Sequence, residues 1–541
     1  MTTANPPDDL HLGSFSNKPP WSVAQRELAW RPAVEGLRRA QRRELPSLTK
    51  PPRVPPVGRA LTVVRVLGTA VGAWHLRDRG SSRSRAGLSR RFREGAEKLG
   101  PTYIKLAQII SAGEGVFPPE LVAETKKCRD QVPPVPYIDI VAVIEAELGL
   151  PLHRVFRSID PQPLAAASIA QVHAGVLVTG ESVVIKVQRP DIDTLVRRDL
   201  RVLSWLAPFL VGRIPVSALA NPPALVELFA ETIIEELDFR LEAANMLDVA
   251  EVFVKLDQPG FVVPRPHPEH VTAKVLVMER LHGYSFDDVG GIKAAGVDTH
   301  QVIETAMLGF LEGAFLHGVF HGDLHGGNLF VIDDDGIDGR PPAKGAAKIG
   351  LVDFGITGRL SQAERMAFLR MMMTATMNDL SGQVAALRDL GALPPDTDVD
   401  AVIADIGLDK GPPDPTAMSP EELIGELQRI VKALLGYGAR LPKPLMLYVK
   451  NLIFIDGAIA TLAPELDMFS VVTNIGNHFA TTHGPTIAAE LGVAPGTWEV
   501  DTEGIKAGFG VDPATTSTLT YAELKERRAL IRHRLSGREV D

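Results

Sequence analysis

The stretch from His321 to Gly355 constrains this 541-residue chain more than any other. It opens His321-Gly322-Asp323-Leu324-His325-Gly326-Gly327-Asn328, continues through apolar residues, and returns through Ile349 to Asp353-Phe354-Gly355. An Asp followed five residues later by Asn, with a second Asp before Phe-Gly, is the spacing that handles a nucleoside triphosphate and its metal. One carboxylate sits beside the accepting nucleophile, and the Asn and the second Asp hold Mg²⁺ against the phosphates. Residues 328–330 lead into one short strand, and 348–352 read as its partner across an Asp/Gly/Pro-rich loop at 333–345. Such a hairpin brings Asn328 and Asp353 together although the sequence separates them. A polar turn and an unrelated Asp would account for either motif alone. Both together, in this order and flanked by apolar strands, indicate a phosphate-transfer site.

Composition narrows the remainder. Hydrophobic residues at 45% and charged residues at 23% are ordinary globular values, so a packed fold is expected. The net charge of −9 argues against a nucleic-acid partner. A lone cysteine, Cys128, excludes an intramolecular disulfide and a cysteine-based zinc cluster, and agrees with a reducing cytoplasmic compartment. Residues 1–18 are polar and Pro-rich, without the apolar core of a secretory signal.

Residues 1–56 read as a largely flexible arm with one short helix. Residues 61–76 are apolar but interrupted by Arg65, and shorter than the ~20 residues of a spanning helix. A basic run follows: Arg77, Arg79, Arg83, Arg85, Arg90, Arg91 and Arg93. Segment 61–93 fits a helix lying on an anionic membrane surface, and equally a helix packed on the main domain with a solvated basic flank. Pro101 opens a helix that places Lys105 and Gln108 on one face; on spacing alone they are surface residues. Phe117-Pro118-Pro119-Glu120 starts another helix, which residues 132–134 end.

From residue 164 the pattern changes to strands. Residues 164–173 and 182–188 form a hairpin across Thr179-Gly180-Glu181. The small residues Ala165, Ala166, Ala167 and Ser168 permit backbone N–H groups to approach phosphates. Lys186 interrupts a β-branched apolar run, so it needs an anionic partner unless it snorkels from an edge strand. A helix over 223–249 stacks Glu231, Glu235, Asp238 and Glu242 along one face. The stack repels itself by roughly a few tenths of a kcal/mol per pair and calls for cations, with Lys186 and Lys105 as candidates. Glu236 falls on an adjacent face. The strand at 275–279 ends in a turn suited to a hinge, where the backbone of Met278 and Glu279 is free for an adenine edge. A long helix at 300–319 leads into the catalytic stretch, and Ser361-Gln362-Ala363-Glu364 is a capping box. The apolar helix at 445–462 reads as buried core, and its Lys450 and Asp456 argue against a membrane span. A charged helix at 521–535 closes the chain.

The Lys-bearing strand, the Glu-bearing helix, the hinge, the Asp…Asn loop and Asp-Phe-Gly stand in protein-kinase order. Three details depart from an ordinary protein kinase. Gly322 replaces the Arg before the catalytic Asp, the segment after Gly355 is short, and Ala165-Ala166-Ala167-Ser168 replaces the Gly-rich loop. With Lys105-x-x-Gln108 and Glu236-Leu237-Asp238, these departures resemble the UbiB family of atypical kinase-like proteins, the ADCK group of eukaryotes, over residues 99–472. The resemblance implies an α+β, protein-kinase-like two-lobed fold with a helical N-terminal extension. Its segments would be an arm at 1–56, the extension at 57–150, an N-lobe at 151–285, a helical C-lobe at 286–472 and a tail at 473–541. It implies that Lys186 contacts phosphate with Glu242 as its partner, that Asp323 is the catalytic aspartate, and that Asn328 and Asp353 hold the metal. Lys105 and Gln108 would belong to the extension that packs over the site, meeting Glu236 and Asp238. Ala107 and Ala170 stand where the family usually has Gly, and Gly322, Leu324 and Gly326 where it usually has Ala, Pro and Pro.

The expected function is therefore an ATPase that binds Mg-ATP or ADP and supports quinone or other isoprenoid-lipid synthesis. Partners would be an anionic membrane or isoprenoid lipid and lipid-biosynthesis proteins, with the chain cytoplasmic and peripheral on the inner membrane face. Two other classes compete. A small-molecule phosphotransferase of aminoglycoside- or choline-kinase type shares His-Gly-Asp…Asn, and a nucleotide-gated scaffold would bind without turnover.

Overall fold

The computed structural model describes residues 20–21, 28–54, 56, 58–77, 84–111, 117–128, 132–211, 222–332, 347–377, 379–407, 433–434, 436–439, 442–494, 500–508 and 518–535. The chain folds as two lobes of α+β type with helices packed on both. The N-lobe is an antiparallel sheet of strands β1 (Phe156–Ile159), β2 (Ala165–Ala166), β3 (Ala170–Leu177), β4 (Ser182–Gln188), β6 (Pro266–Val271) and β7 (Val275–Glu279). Their order is β1-β3-β4-β7-β6, with β2 on the flank of β3. The β3–β4 hairpin turns at Gly180, whose φ of +112° suits glycine.

Alternation in β4 decides what each face does. Val183, Ile185 and Val187 are fully buried against Ile140 and Ile144 of the Tyr137–Leu148 helix. Lys186 therefore points to the other face, into the cleft. From β7 the chain crosses through residues 280–283 to β8 (Tyr284–Ser285). That short strand pairs with β10 (Leu329–Ile332), which pairs antiparallel with β11 (Lys348–Leu351) in register Leu329↔Leu351, while β5 (Phe261–Val262) lies parallel to β11. The hairpin that joins Asn328 to Asp353 is thus present. Its connecting loop, residues 333–346, lies outside the described residues.

The long helix before the catalytic stretch ends sooner than its apolar run suggests. Thr299–Glu312 gives way to a π-helical turn, Gly313–His317, and then to β9 (Val319–His321), which pairs with β12 (Thr357–Arg359). The capping box forms as read, with Ser361 and Glu364 bonding reciprocally at the start of the Gln362–Thr376 helix. The Lys443–Leu462 helix is core: Tyr448 lies among Phe310, Phe315, Phe320 and Phe368 at ring-centroid distances of 4.9–6.5 Å. Among the described residues it is the one helix long and apolar enough to cross a membrane, and half of its apolar window is buried inside the protein.

Three sequence expectations are corrected. The single helix over 223–249 is two helices, Pro222–Glu235 and Phe239–Lys255, because Asp238 leaves helical conformation and caps the second by accepting from the Arg240 N–H. The four acidic residues therefore never form one stack. Residues 28–54 are no loose arm: Leu28, Trp30, Val34 and Leu48 are buried, and Val34–Thr49 is a helix packed on Pro222–Glu235 and its neighbours. The helix begun at Pro119 stops at Thr125, well before the prolines at 133–134.

The segment at 61–93 is split between core and surface. In the Arg59–Arg77 helix Ala60 and Val63 are buried, whereas Leu61 is 74% and Val64 43% exposed. Arg93 bonds Glu97 and Glu124. Arg79 and Arg83 lie outside the described residues.

Candidate active site

Lys186 reaches across the cleft from β4. Its ammonium lies 2.7 Å from Glu242 Oε1, on the Phe239–Lys255 helix, and 3.0 Å from Asp353 Oδ1. Burial disfavours its charge, but the Asp353 and Glu242 carboxylates outweigh that and hold it above the ordinary lysine value. Glu242 is 3% exposed, and burial with the nearby Asp353 raises it to about 7 despite Lys186. Asp353 moves the other way. Burial would raise it, yet Lys186 and Lys105 pull it down to about 2.

Asp353 adopts a left-handed backbone, φ +61°, a strained conformation for any residue but Gly, and one to which Asp is among the better suited. Its carboxylate accepts from the Gly355 N–H at 3.3 Å, and the Phe354 carbonyl accepts from Asn245 Nδ2 at 2.9 Å. Those bonds hold the Asp-Phe-Gly turn. The catalytic loop is pinned as firmly. His321 accepts from the Asp323 N–H at Nδ1 (3.2 Å) and bonds the Val352 carbonyl through Nε2 (3.1 Å). That pattern makes it a neutral imidazole protonated at Nε2, in line with burial lowering its pKa. Gly322 donates to Ile356 O at 3.0 Å, and a Cβ there would meet Ile356 Cγ2 at 2.9 Å. The loop lies against β12 too closely for the Arg of ordinary kinases. Asn328 donates from Nδ2 to the Asp323 carbonyl at 3.0 Å, and its own carbonyl accepts from Val352 at 3.0 Å.

The extension enters here. In the Pro101–Ser111 helix Lys105 is 13% exposed and pairs with Glu236, itself 8% exposed, at 2.8 Å. Glu236 lies close over Gly355, where an added Cβ would sit 3.4 Å from its Cγ. Burial would strip the charge from Lys105, but Glu236 and Asp323 together hold it above the ordinary value. Lys105 is therefore a cleft residue, not the surface one its spacing suggested. Gln108 lies half-buried one turn further on. Among the described residues no hydrogen bond or ion pair joins Asp238 to this helix; it caps its own and holds Arg240 at 2.6 Å.

The nucleotide-side residues are arranged differently from expectation. Ala165 and Ala166 form β2, Ala167 N–H bonds the Ala170 carbonyl at 2.9 Å, and Ser168 is buried. The turn is fastened further by the buried Arg189, which donates to the carbonyls of Ala167, Pro133 and Val132. Met278 is buried. The Glu279 N–H donates to Arg265 O at 2.9 Å and its carboxylate accepts from Arg265 N–H at 3.1 Å. That amide is engaged within the sheet rather than free for an adenine edge.

Two functional residues escaped the sequence reading, Lys450 and Asn451. The Lys450 ammonium pairs directly with Asp323 Oδ1. Asn451, fully buried, accepts from the Leu324 N–H at 3.0 Å and donates to the His321 carbonyl, so it clamps the backbone on both sides of Asp323. Burial raises Asp323, but Lys450 and Lys105 outweigh it and hold the carboxylate well below the usual range. The signal was present, since a lone Lys-Asn pair in an apolar helix needs a polar partner as Lys186 does. Three ammonium groups thus face Asp323, Asp353, Glu236 and Glu242 in one cleft, an arrangement able to orient and neutralise phosphate oxygens.

A family model described as the ABC1 atypical kinase-like domain matches residues 127–387. An uncharacterised protein of Mycobacterium tuberculosis strain H37Rv is 33% identical over 378 residues, covering 69% of this chain and 74% of that one. A protein named probable protein kinase UbiB, from Marinobacter nauticus, is 32% identical over 381 residues, 70% of this chain and 68% of its own. The Arabidopsis thaliana protein named activity of BC1 complex kinase 1, chloroplastic, is 32% identical over 401 residues, 73% of this chain and 56% of its own.

Proposed function

This chain belongs to the ABC1 atypical kinase-like family, and from that premise we propose that it binds Mg-ATP or ADP and hydrolyses ATP in the cleft between its lobes. The observation that carries the proposal is the joint hold of Lys186 on Glu242 and Asp353, beside a catalytic loop built from Asp323 and Asn328. The donors fit a magnesium ion: the Asp353 carboxylate and the Asn328 amide oxygen are hard ligands. When bound, the metal would neutralise charge on the phosphate chain. Lys186 would contact the phosphates, and the Ala165–Ser168 turn would cover them. Asp323, kept ionised by Lys450, would orient the accepting hydroxyl or water.

Lys105 and Glu236 take up the space over Asp353-Phe354-Gly355. A peptide substrate would have to displace a buried ion pair, so the reading favours water or a small acceptor. The UbiB name of the relatives and the exposed Leu61 and Val64 support coupling to quinone or other isoprenoid-lipid synthesis at an anionic membrane. Lipid-biosynthesis proteins would be the partners, with the chain peripheral on the inner membrane face.

The test is ATP hydrolysis with Mg²⁺, with and without anionic liposomes carrying a quinone-like headgroup, for wild type and Asp353→Asn. Lipid-stimulated turnover absent in the variant supports the proposal. Tight nucleotide binding without turnover in any condition replaces it with a nucleotide-gated scaffold. Phosphorylation of a soluble alcohol replaces it with a small-molecule phosphotransferase.

A further inference from the structure

A second convergence of ligand-bearing side chains lies in the helical lobe, outside the cluster around Lys186. Glu312 ends the Thr299–Glu312 helix with its side chain 2% exposed. Its Oε1 is 2.7 Å from His478 Nε2 and 2.9 Å from His483 Nε2, and the three donor atoms lie within 4.8 Å of one another. We propose that Glu312, His478 and His483 bind one divalent transition-metal ion of the zinc class, clipping the C-terminal helices to the helix that feeds the catalytic strand.

Backbone geometry carries the argument first. Residues five apart on an α-helix lie roughly 140° apart around its axis, too far to share a ligand. Residues Phe479–His483 form a π-helical turn instead, and its i→i+5 bonding stacks residues five apart. The two imidazoles thereby reach one face, with ring centroids 5.4 Å apart. Glu312 immediately precedes a second π turn, Gly313–His317, so both ligand-bearing segments leave α-helical geometry where they meet.

Charge and donor type point the same way. A buried carboxylate needs a cation, yet among the described residues no lysine or arginine pairs with Glu312. The nearby Arg365 is engaged by the Phe315 and Leu316 carbonyls and by Glu490. Gln258 donates to the other carboxylate oxygen, Oε2, and fixes the rotation of the group as an outer partner of a metal ligand does. Two imidazoles with one carboxylate suit zinc and its neighbours rather than magnesium or calcium. His478 and His483 are 35% and 22% exposed, so solvent reaches the open side of the site.

Position gives the site its consequence. Only the π turn, Gly318 and the first two residues of β9 separate Glu312 from His321, and His321 holds Asp323. A clip at Glu312 would hold the start of that strand against the helices at 468–491.

The experiment is titration of the chelator-stripped full chain with Zn²⁺ by calorimetry and with Co²⁺ by visible absorption. Wild type, His478→Gln, His483→Gln and Asp353→Asn are compared, with circular dichroism confirming each fold. We expect one ion per chain, a tetrahedral or five-coordinate Co²⁺ band, and a Zn²⁺-dependent rise in Tm. Both histidine variants should weaken binding by about tenfold or more. Asp353→Asn should bind Zn²⁺ unchanged, which separates this site from the proposed nucleotide site. Folded wild type without a Co²⁺ band or Zn²⁺ heat, or histidine variants that bind as tightly as wild type, would overturn the proposal.

Discussion

Asp323 shows how one residue's role depends on a partner 127 positions away. The paired Lys450 makes its carboxylate a poor proton acceptor, so in the proposed hydrolysis it would contribute orientation and charge rather than strong basicity. Lys450→Met should lower ATP turnover by roughly 10–100-fold while leaving nucleotide affinity nearly unchanged, and Lys450→Arg should recover part of the loss. Steady-state kinetics with a separate nucleotide-binding isotherm checks this; equal losses in both would make Lys450 a binding residue. Glu242 offers a pH test. Its carboxyl is raised from an ordinary 4.5 to about 7 in the folded state. A proton held by the folded chain and already lost by the unfolded one stabilises the fold. That contribution is full below 4.5 and disappears as pH rises through 7. Thermal melts between pH 5 and 8 should therefore fall more steeply with pH for wild type than for Glu242→Gln. Parallel curves would show that Glu242 titrates near its ordinary value.

At the scale of elements, the extension helix Pro101–Ser111 is held by burial and by one ion pair. Seven of its eleven residues are buried, and Lys105 and Glu236 are both largely shielded from water. Lys105→Ala leaves Glu236 an uncompensated buried charge and should cost about 3–5 kcal/mol. Adding Glu236→Gln should return a substantial part of it, because the lone charge is then gone. Denaturant melts of the two singles and the double complete the cycle, and strictly additive losses would mean that the pair does not interact.

These elements also show what the sequence could and could not tell. The β10–β11 hairpin and the capping box at Ser361 were legible because period, turn residues and local spacing encode them, whereas the pairing of Lys186 with Glu242, 56 residues apart, came from the family resemblance. The break at Asp238 was not, since apolar periodicity continues on both sides and only the Asp cap interrupts the helix. Lys450 was missed for a different reason. A helix placed in the core by its apolar run signals that Lys450 needs a polar partner but not which loop supplies it.

Across the whole molecule, one carboxylate ties the N-terminal helix to both lobes. Asp248, on the same helix as Glu242, pairs with Arg31 and Arg38 at 3.4 Å and with Arg359 of β12 at 2.6 Å. The neighbouring Asn245 accepts from Arg38 at 3.1 Å and from Arg359 at 2.7 Å, while its amide holds the Phe354 carbonyl. The N-terminal helix thus connects through Arg38 and Asn245 to the Asp-Phe-Gly turn. These groups are partly exposed, so each pair is worth little and the network sets the scale. Asp248→Ala removes the acceptor shared by three guanidinium groups and should cost about 1–3 kcal/mol. The loss should be local. Amide exchange in Val34–Thr49 should quicken, because the helix loses its charged attachment but keeps Val34 and Leu48 in the core. The strands β3 and β4, which among the described residues no ion pair of Asp248 reaches, should exchange as in wild type. A uniform quickening across both lobes would mean that Asp248 supports the global fold, and that the N-terminal helix is not separately tethered.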